Sequence, residues 1–427
     1  MERKIKQTLL TWKQEAEHLP ILLYGARQIG KTYILKEFGA EFFKNVVYIN
    51  FEKDTRLNAY LEMSIDPQYV IKTIEHLYEI KIIPQETLII FDEIQASERA
   101  LTSLKYFCEE GPEYYIIGAG SLLGVKLRRE RFSFPVGKVK LLNMYPMDFE
   151  EFLMAEHKQA LLSTIISCYK ENKTMPELLH EEALSEYRKY LVIGGMPAAV
   201  SAYLEGRDFA EIQNFLYSSY IADMSKYTTA RDSVKIAEAY DSLPAQLAKE
   251  NKKFQYKLIK KGGRSSLYGE SIDWLIQAGL CLKCTLTEQG MLPIAAYQDL
   301  SAFKLYYGDM GLFASRTHTN FALLANPAMQ QFLGALTENY VAIALSTNGF
   351  ELNYWTSSSD AEVDFLIVKD NNIIPIECKA QTHVRSRSLN SFMQRYNSPY
   401  AIRFSTRNFG FEMNIKSVPL YAAFCVK

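Results

Sequence analysis

The feature that most constrains this chain lies near its start. Gly25-Ala26-Arg27-Gln28-Ile29-Gly30-Lys31-Thr32 follows the apolar run Ile21-Leu22-Leu23-Tyr24 and opens onto a helix-length segment, Tyr33 to Phe38. The spacing is G-x-x-x-x-G-K-[ST]. Glycines at those places let backbone N–H groups curl around a phosphate. Lys31 then neutralises β/γ oxygens, and Thr32 offers a hydroxyl to Mg²⁺. An ordinary glycine-rich turn is the plain alternative, but a strand before and a helix after are the context a phosphate loop requires. Gly25, Ala26, Arg27, Gln28, Ile29, Gly30, Lys31 and Thr32 are therefore expected to hold ATP.

Four further apolar runs, Val46–Phe51, Thr87–Phe91, Tyr114–Ile117 and Val139–Leu142, alternate with helical patterns such as Pro67–Ile80. Continuous apolar strands between helices indicate a parallel sheet covered on both faces. The Thr87 run continues into Asp92-Glu93. An Asp at that strand edge can hold Mg²⁺ through water, and Glu93 can orient or deprotonate the attacking water. The acid pair favours a hydrolysing ATPase over a nucleotide kinase. Ser121, closing Gly118-Ala119-Gly120-Ser121, is either a γ-phosphate sensor or part of a simple turn. Lys126-Leu127-Arg128-Arg129-Glu130-Arg131 is either a solvated basic loop or the source of an arginine finger. A finger would reach a neighbouring subunit's nucleotide and make a second copy of the chain a partner.

Composition narrows the classes. At 427 residues the chain has room for about three domains. With 48% hydrophobic and 23% charged residues it is neither disordered nor collagen-like. Lys and Arg number 48 against 49 acids, which excludes a uniformly basic nucleic-acid binder but not a local basic patch. The six cysteines are scattered, as in a reduced cytoplasmic chain, and Cys281 and Cys284 form a single C-x-x-C with no second pair to complete a zinc site. The N-terminus lacks an apolar signal core, and no stretch nears the about 18 apolar residues of a membrane span.

Taken together, the phosphate loop, Leu88–Glu93, Gly120-Ser121-Leu122-Leu123-Gly124, Phe134-Pro135-Val136-Gly137 and Tyr145-Pro146-Met147-Asp148-Phe149-Glu150-Glu151-Phe152 resemble the AAA-type ATPase domain of a large prokaryotic family. Gly194-Gly195-Met196-Pro197 resembles it as well. That family consists of P-loop ATPases of the STAND-like archaeal-ATPase branch, with a C-terminal domain of unknown function related to restriction endonucleases. The resemblance spans nearly the whole chain. It implies ATP binding and leaves the biological role open.

The expected fold is thus α/β and multidomain. A P-loop NTPase with a parallel sheet (1–147) comes first, then a helical lid region (148–235), a winged-helix-like domain (236–311) and a PD-(D/E)-x-K nuclease-like domain (312–427). Phe149–Ala155, Glu181–Val192 and Phe209–Lys226 carry the lid helices, interrupted at Gly194–Pro197. Ile236–Ala248, Gln255–Lys261 and Ser265–Ala278 read as three helices, and Leu280–Thr285 with Phe303–Tyr307 as a β wing. Lys249, Lys252, Lys253, Lys257, Lys260, Lys261 and Arg264 put seven basic residues in sixteen against one acid. They form either a DNA-backbone footprint or a solvated helix face.

In the last hundred residues, Ala361–Val368 and Ile373–Lys379 read as a hairpin turning at Asp370 and Asn371. That register sets Asp364 opposite Glu377, with Lys379 on the same face. Facing carboxylates repel without a cation; Mg²⁺ on Asp364 and Glu377 would resolve this, with Lys379 orienting water or phosphate. The alternative is a salt-bridge ladder opposing Glu362 and Lys379. The arrangement resembles the PD-(D/E)-x-K nuclease fold, in which Asp364 stands for the Asp, Glu377-Cys378-Lys379 for E-x-K, and Glu338 for the acid many such folds add from a helix. Pro375 is expected at a strand start or edge, where its missing N–H is harmless.

Overall fold

Fully buried β-strands need no polar face, and the most continuous apolar runs of this chain form such strands. The computed structural model describes residues 1–121, 137–249, 252–357, 361–380 and 387–427. The chain divides into two compact units, residues 2–145 and 146–427.

In the first unit, β1 (Ile21–Tyr24), β2 (Asn45–Asn50), β3 (Thr87–Asp92), β4 (Tyr115–Gly120) and β5 (Lys140–Asn143) form a sheet in the order β2-β3-β4-β1-β5. All of its pairings are parallel. The central β3 and β4 are buried along their whole length, whereas the edge strand β5 alternates between half-buried and exposed positions. The edge strand thus departs from the continuous apolar run expected of it, because one of its sides faces solvent. Ile49, Ile89, Phe91 and Ile116 join Val70, Ile74 and Leu104 from the helices Pro67–Tyr78 and Glu98–Glu110 in one core. Asp66 and Ser97 cap those helices by accepting from Tyr69 N and Ala100 N.

In the second unit, helices surround a mixed eight-stranded sheet, in the order β12-β13-β11-β10-β9-β8-β6-β7. Its strands are β6 (Cys281–Thr287), β7 (Gln298–Tyr307), β8 (Asn353–Thr356), β9 (Glu362–Lys369), β10 (Asn372–Cys378), β11 (Ala401–Ser405), β12 (Gly410–Glu412) and β13 (Ile415–Pro419). The β6–β7 hairpin expected as a wing is therefore part of the C-terminal sheet. Thr285, Leu286 and Thr287 pair with Asn353, Tyr354 and Trp355 of β8. A solvent-facing wing would alternate, but β7 is buried without interruption from Ala302 to Tyr307. The expected boundary at 311/312 falls inside this sheet's connectivity. The region expected as a separate lid likewise shares a core with the C-terminal segment. Phe149, Tyr187 and Tyr190 pack their rings against Tyr340 of the helix Gln330–Thr347, and Phe149 also meets Phe424.

The glycines of Gly194-Gly195-Met196-Pro197 have a steric cause. Gly194 adopts φ +75°, and a Cβ on Gly195 would lie 1.9 Å from the Met147 carbonyl oxygen. Gly195 N–H donates to Asp309 Oδ2 at 2.6 Å, which ties the break to the N-cap of the helix Met310–Arg316.

The β9–β10 hairpin turns at Asp370 (φ 50°) and Asn371 (φ 59°), both left-handed, as a two-residue type I′ turn requires. Such a turn makes Lys369–Asn372 a hydrogen-bonded pair, so alternation makes Pro375–Leu366 a non-hydrogen-bonded one. The missing N–H of Pro375 points away from β9, and the β10–β11 ladder begins only at Ile376. Pro375 therefore sits inside an interior strand rather than at a strand start or edge, because no ladder bond falls on it.

Candidate functional site

The phosphate loop is a strained bend between β1 and the helix Lys31–Phe42. Gly25 (φ 146°), Gln28 (φ 60°) and Gly30 (φ 93°) hold positive φ, and the helix begins with no side-chain cap on its first N–H groups. Such a helix end favours an anion. Lys31 is buried and donates to the Gly25 and Ala26 carbonyls at 2.9 and 2.7 Å. Burial pushes its ammonium down to about 8, against the opposing pull of Glu93 and Asp92. An added anion would relieve that desolvation.

Parallel pairing brings Asp92 to the loop. Its Oδ2 accepts from the Thr32 hydroxyl at 2.8 Å and from the Tyr48 hydroxyl at 2.6 Å, and its Oδ1 accepts from Glu93 N at 3.1 Å. Glu93 leaves the strand through φ 49°, and its carboxylate accepts from the Gln95 amide. Ser121, at the end of β4 between β1 and β3, is buried, and its Oγ accepts from Arg27 Nε at 3.2 Å. The residues fit a phosphate ester with a divalent cation: a buried cation held by carbonyls, an uncapped helix start, and a hydroxyl–carboxylate pair of the kind that binds Mg²⁺. The finger candidates Lys126–Arg131, with most of the Gly120–Gly124 and Phe134–Gly137 segments, lie outside the described residues.

Tyr48 was not legible as a site residue. Burial, then the Asp92 carboxylate, pushes its phenol up to about 12, so it stays a donor to Asp92. The available signal is a polar pair, Tyr48 and Asn50, on one face of the strand, beyond Val46.

The second unit holds the other candidate residues around a cavity of about 210 Å³, lined by Lys252, Glu338, Glu362, Asp364, Glu377, Lys379 and Ser388. The last β9–β10 pair is Phe365–Ile376. Beyond it, Asp364 Oδ2 replaces the strand partner and accepts Cys378 N–H at 2.7 Å, leaving Asp364 and Glu377 on one face as the register requires. Lys379 donates to Glu377 Oε1 at 3.0 Å, whereas Glu377 Oε2 is buried with no partner. That orphaned oxygen fits a cation. Burial, then the Glu338 charge, pushes Asp364 up to about 7.

Lysines already neutralise part of this cleft. Glu338 accepts from Lys252, from Lys304 at 3.1 Å and from the Tyr306 hydroxyl. Burial opposes ionisation of Glu338, but Lys252 and Lys304 outweigh it and bring the carboxyl down to about 2. Lys304 also reaches Glu362 at 2.5 Å. The alternative ladder is thus not the one built, because Glu362 pairs with Lys304 and Lys379 with Glu377. Among the described residues no three His, Cys, Asp or Glu side chains form a ready metal cage. Lys304 and Tyr306 were missed in sequence; a lysine inside the buried run Ala302–Tyr307 is the signal that could have found them.

Lys252 is correspondingly not part of a solvent-facing footprint, because Glu338 draws it into the cleft. Lys260 pairs with Glu238 at 3.2 Å, while Lys253, Lys257, Lys261 and Arg264 lie on the surface. Cys281 and Cys284 are buried free thiols. No described helix is long and apolar enough to cross a membrane.

Parallel sheet, phosphate loop and Asp92 together define a P-loop ATPase-type domain that binds ATP. Residues 17–153 match a family model described as an AAA domain. Residues 184–321 and 333–423 match two domains of unknown function, DUF8612 and DUF4143. No curated protein sequence matches the chain. Among solved structures, a Walker-type ATPase of Pyrococcus abyssi is similar at 15% identity, over 74% of this chain and 95% of that one, with a TM-score of 0.44. The Aeropyrum pernix ORC2 protein in ADPNP–ADP complexes is similar at 16% identity, over 75% and 92%, with a TM-score of 0.32. AMPPCP-bound DnaA from Aquifex aeolicus is similar at 12% identity, over 65% and 89%, with a TM-score of 0.26.

Proposed function

We propose that this protein hydrolyses ATP at the phosphate loop and couples the nucleotide state to a divalent-metal, nuclease-like site on DNA in its second unit. The observation that carries the ATPase reading is the convergence of Lys31, Thr32 and Asp92, with Glu93 following directly. Mg²⁺, when bound, supplies positive charge against phosphate oxygens. The chain's own residues do the rest. The loop amides and Lys31 bind the phosphates, Thr32 and Asp92 hold the cation, and Tyr48 fixes the Asp92 rotamer. Glu93, steadied by Gln95, takes the proton of the attacking water. Ser121 and Arg27 link the loop to the neighbouring strand end, a placement suited to sensing the γ-phosphate. A second copy of the chain is the partner that an arginine finger would require.

In the second unit, Asp364 and the orphaned oxygen of Glu377 would hold Mg²⁺ with Glu338 nearby, and Lys379 would orient phosphate or water. Lys253, Lys257, Lys261 and Arg264 supply the surface charge for a DNA backbone. A second reading is favoured by the lysines on Glu338 and Glu362. In it the cleft is a neutralised relic, and the chain is a nucleotide-dependent switch that only binds DNA or a protein. Incubating the full chain with plasmid and linear DNA in Mg²⁺ or Mn²⁺, with and without ATP, separates the two. Cleavage that Asp364→Asn abolishes supports the nuclease-like site; intact DNA under every condition supports the switch.

A further inference from the structure

The cleft holds a lysine from outside its own acid motif. Lys252 precedes the helix Tyr256–Ile259 and lies 86 residues before Glu338 in sequence, yet its ammonium pairs with Glu338 Oε2. Glu338 Oε1 is already taken by Lys304 and Tyr306. The two lysines are held differently. Lys304 is 1% exposed, rises from the middle of β7 and bridges Glu338 to Glu362, so it is built into the sheet. Lys252 is 16% exposed and stands on a segment with no regular structure. Across the cavity, Asp364 and the buried, unpartnered Glu377 Oε2 face the same space. A divalent cation shared by these acids would have to sit against an ammonium on Glu338, and like charges at that range oppose each other strongly in a buried cleft.

We propose that Lys252 is a displaceable counter-ion occupying the divalent-cation position of this cleft, so that metal enters only as Lys252 withdraws. The inference rests on the reading of the cleft as a metal site and adds its control. Withdrawal leaves Glu338 with Lys304 and Tyr306, so the acid keeps partners on one oxygen while the other turns to the metal. The segment that carries Lys252 also carries the exposed Lys253, Lys257 and Lys261, so a polyanion gathered there would pull in the direction that opens the cleft.

The test is a calorimetric titration of the nucleotide-free full chain with Mn²⁺ alone. It compares the parent, Lys252→Met, Lys252→Gln and Lys252→Arg, each with and without Asp364→Asn. Met keeps the stem without the charge, Gln keeps a donor to Glu338, and Arg keeps the charge. Melting in chelator confirms that each variant is folded, and the two neutral variants stand in for each other. Both are expected to bind Mn²⁺ at least about tenfold tighter than the parent, at a site that Asp364→Asn removes, with Lys252→Arg no tighter than the parent. Equal, Asp364-dependent affinity in the parent and the neutral variants would leave the metal site standing and overturn the role of Lys252. No Asp364-dependent Mn²⁺ binding in any of them would overturn both.

Discussion

Lys31 shows how a single residue's role depends on its surroundings. Its ammonium is buried and donates to two backbone carbonyls, weaker partners than phosphate. Lys31→Ala leaves the loop amides to hold nucleotide without that charge. ATP affinity measured by titration is expected to fall at least tenfold, about 1.4 kcal/mol or more; unchanged affinity would remove Lys31 from the site. Lys31, Thr32, Asp92 and Glu93 were legible because a local spacing or a strand end encodes each of them. Tyr48 and Lys304 were not. Their partners lie 44 and 34 residues away, and only the folded sheets bring them together.

Among the elements, the hairpin of β9 and β10 was readable down to its register. Two left-handed residues at its turn set the register, which, carried one step past its last pair Phe365–Ile376, brings Asp364 level with Glu377. The β6–β7 hairpin was misread because its second neighbour, β8, enters the sequence only at Asn353. Helix contacts carry an ionisation that sequence could not show. Lys189 reaches both Glu156, after the helix Phe149–Ala155, and Glu186, on the helix Glu177–Ile193, and Lys158 also reaches Glu186. Burial, then Glu186, pushes Glu156 up to about 7. A carboxyl raised on folding binds more protons in the native state, so its contribution is present below its ordinary range near 4.5 and is lost as pH rises through 7. Glu156→Gln mimics the protonated form. It is expected to match the parent near pH 3.5 and to exceed its stability at pH 8 by about 1–2 kcal/mol in denaturant titrations. A pH-independent difference between the two would refute the raised Glu156 carboxyl.

At the scale of the whole molecule, the chain divides into two compact units, and the last three expected domains all fall within the second. Residues 312–427 by themselves would leave β8 without β6 and Glu338 without Lys304 and Tyr306. An exposed strand edge and an uncompensated buried carboxylate are both costly. Residues 146–427 are therefore expected to melt cooperatively in calorimetry, and residues 312–427 to show no cooperative transition. A sharp transition in the shorter fragment would support the 311/312 boundary instead.

The central claim, that this chain hydrolyses ATP with Glu93 as its water-orienting acid, is tested most directly by comparing ATP binding and Mg²⁺-dependent turnover in the parent and in Glu93→Gln. The amide keeps the size and hydrogen bonding of the side chain but cannot take the proton. Binding is expected to stay within about twofold while turnover falls by about 10²-fold or more. Turnover by Glu93→Gln at the parent rate would contradict the account.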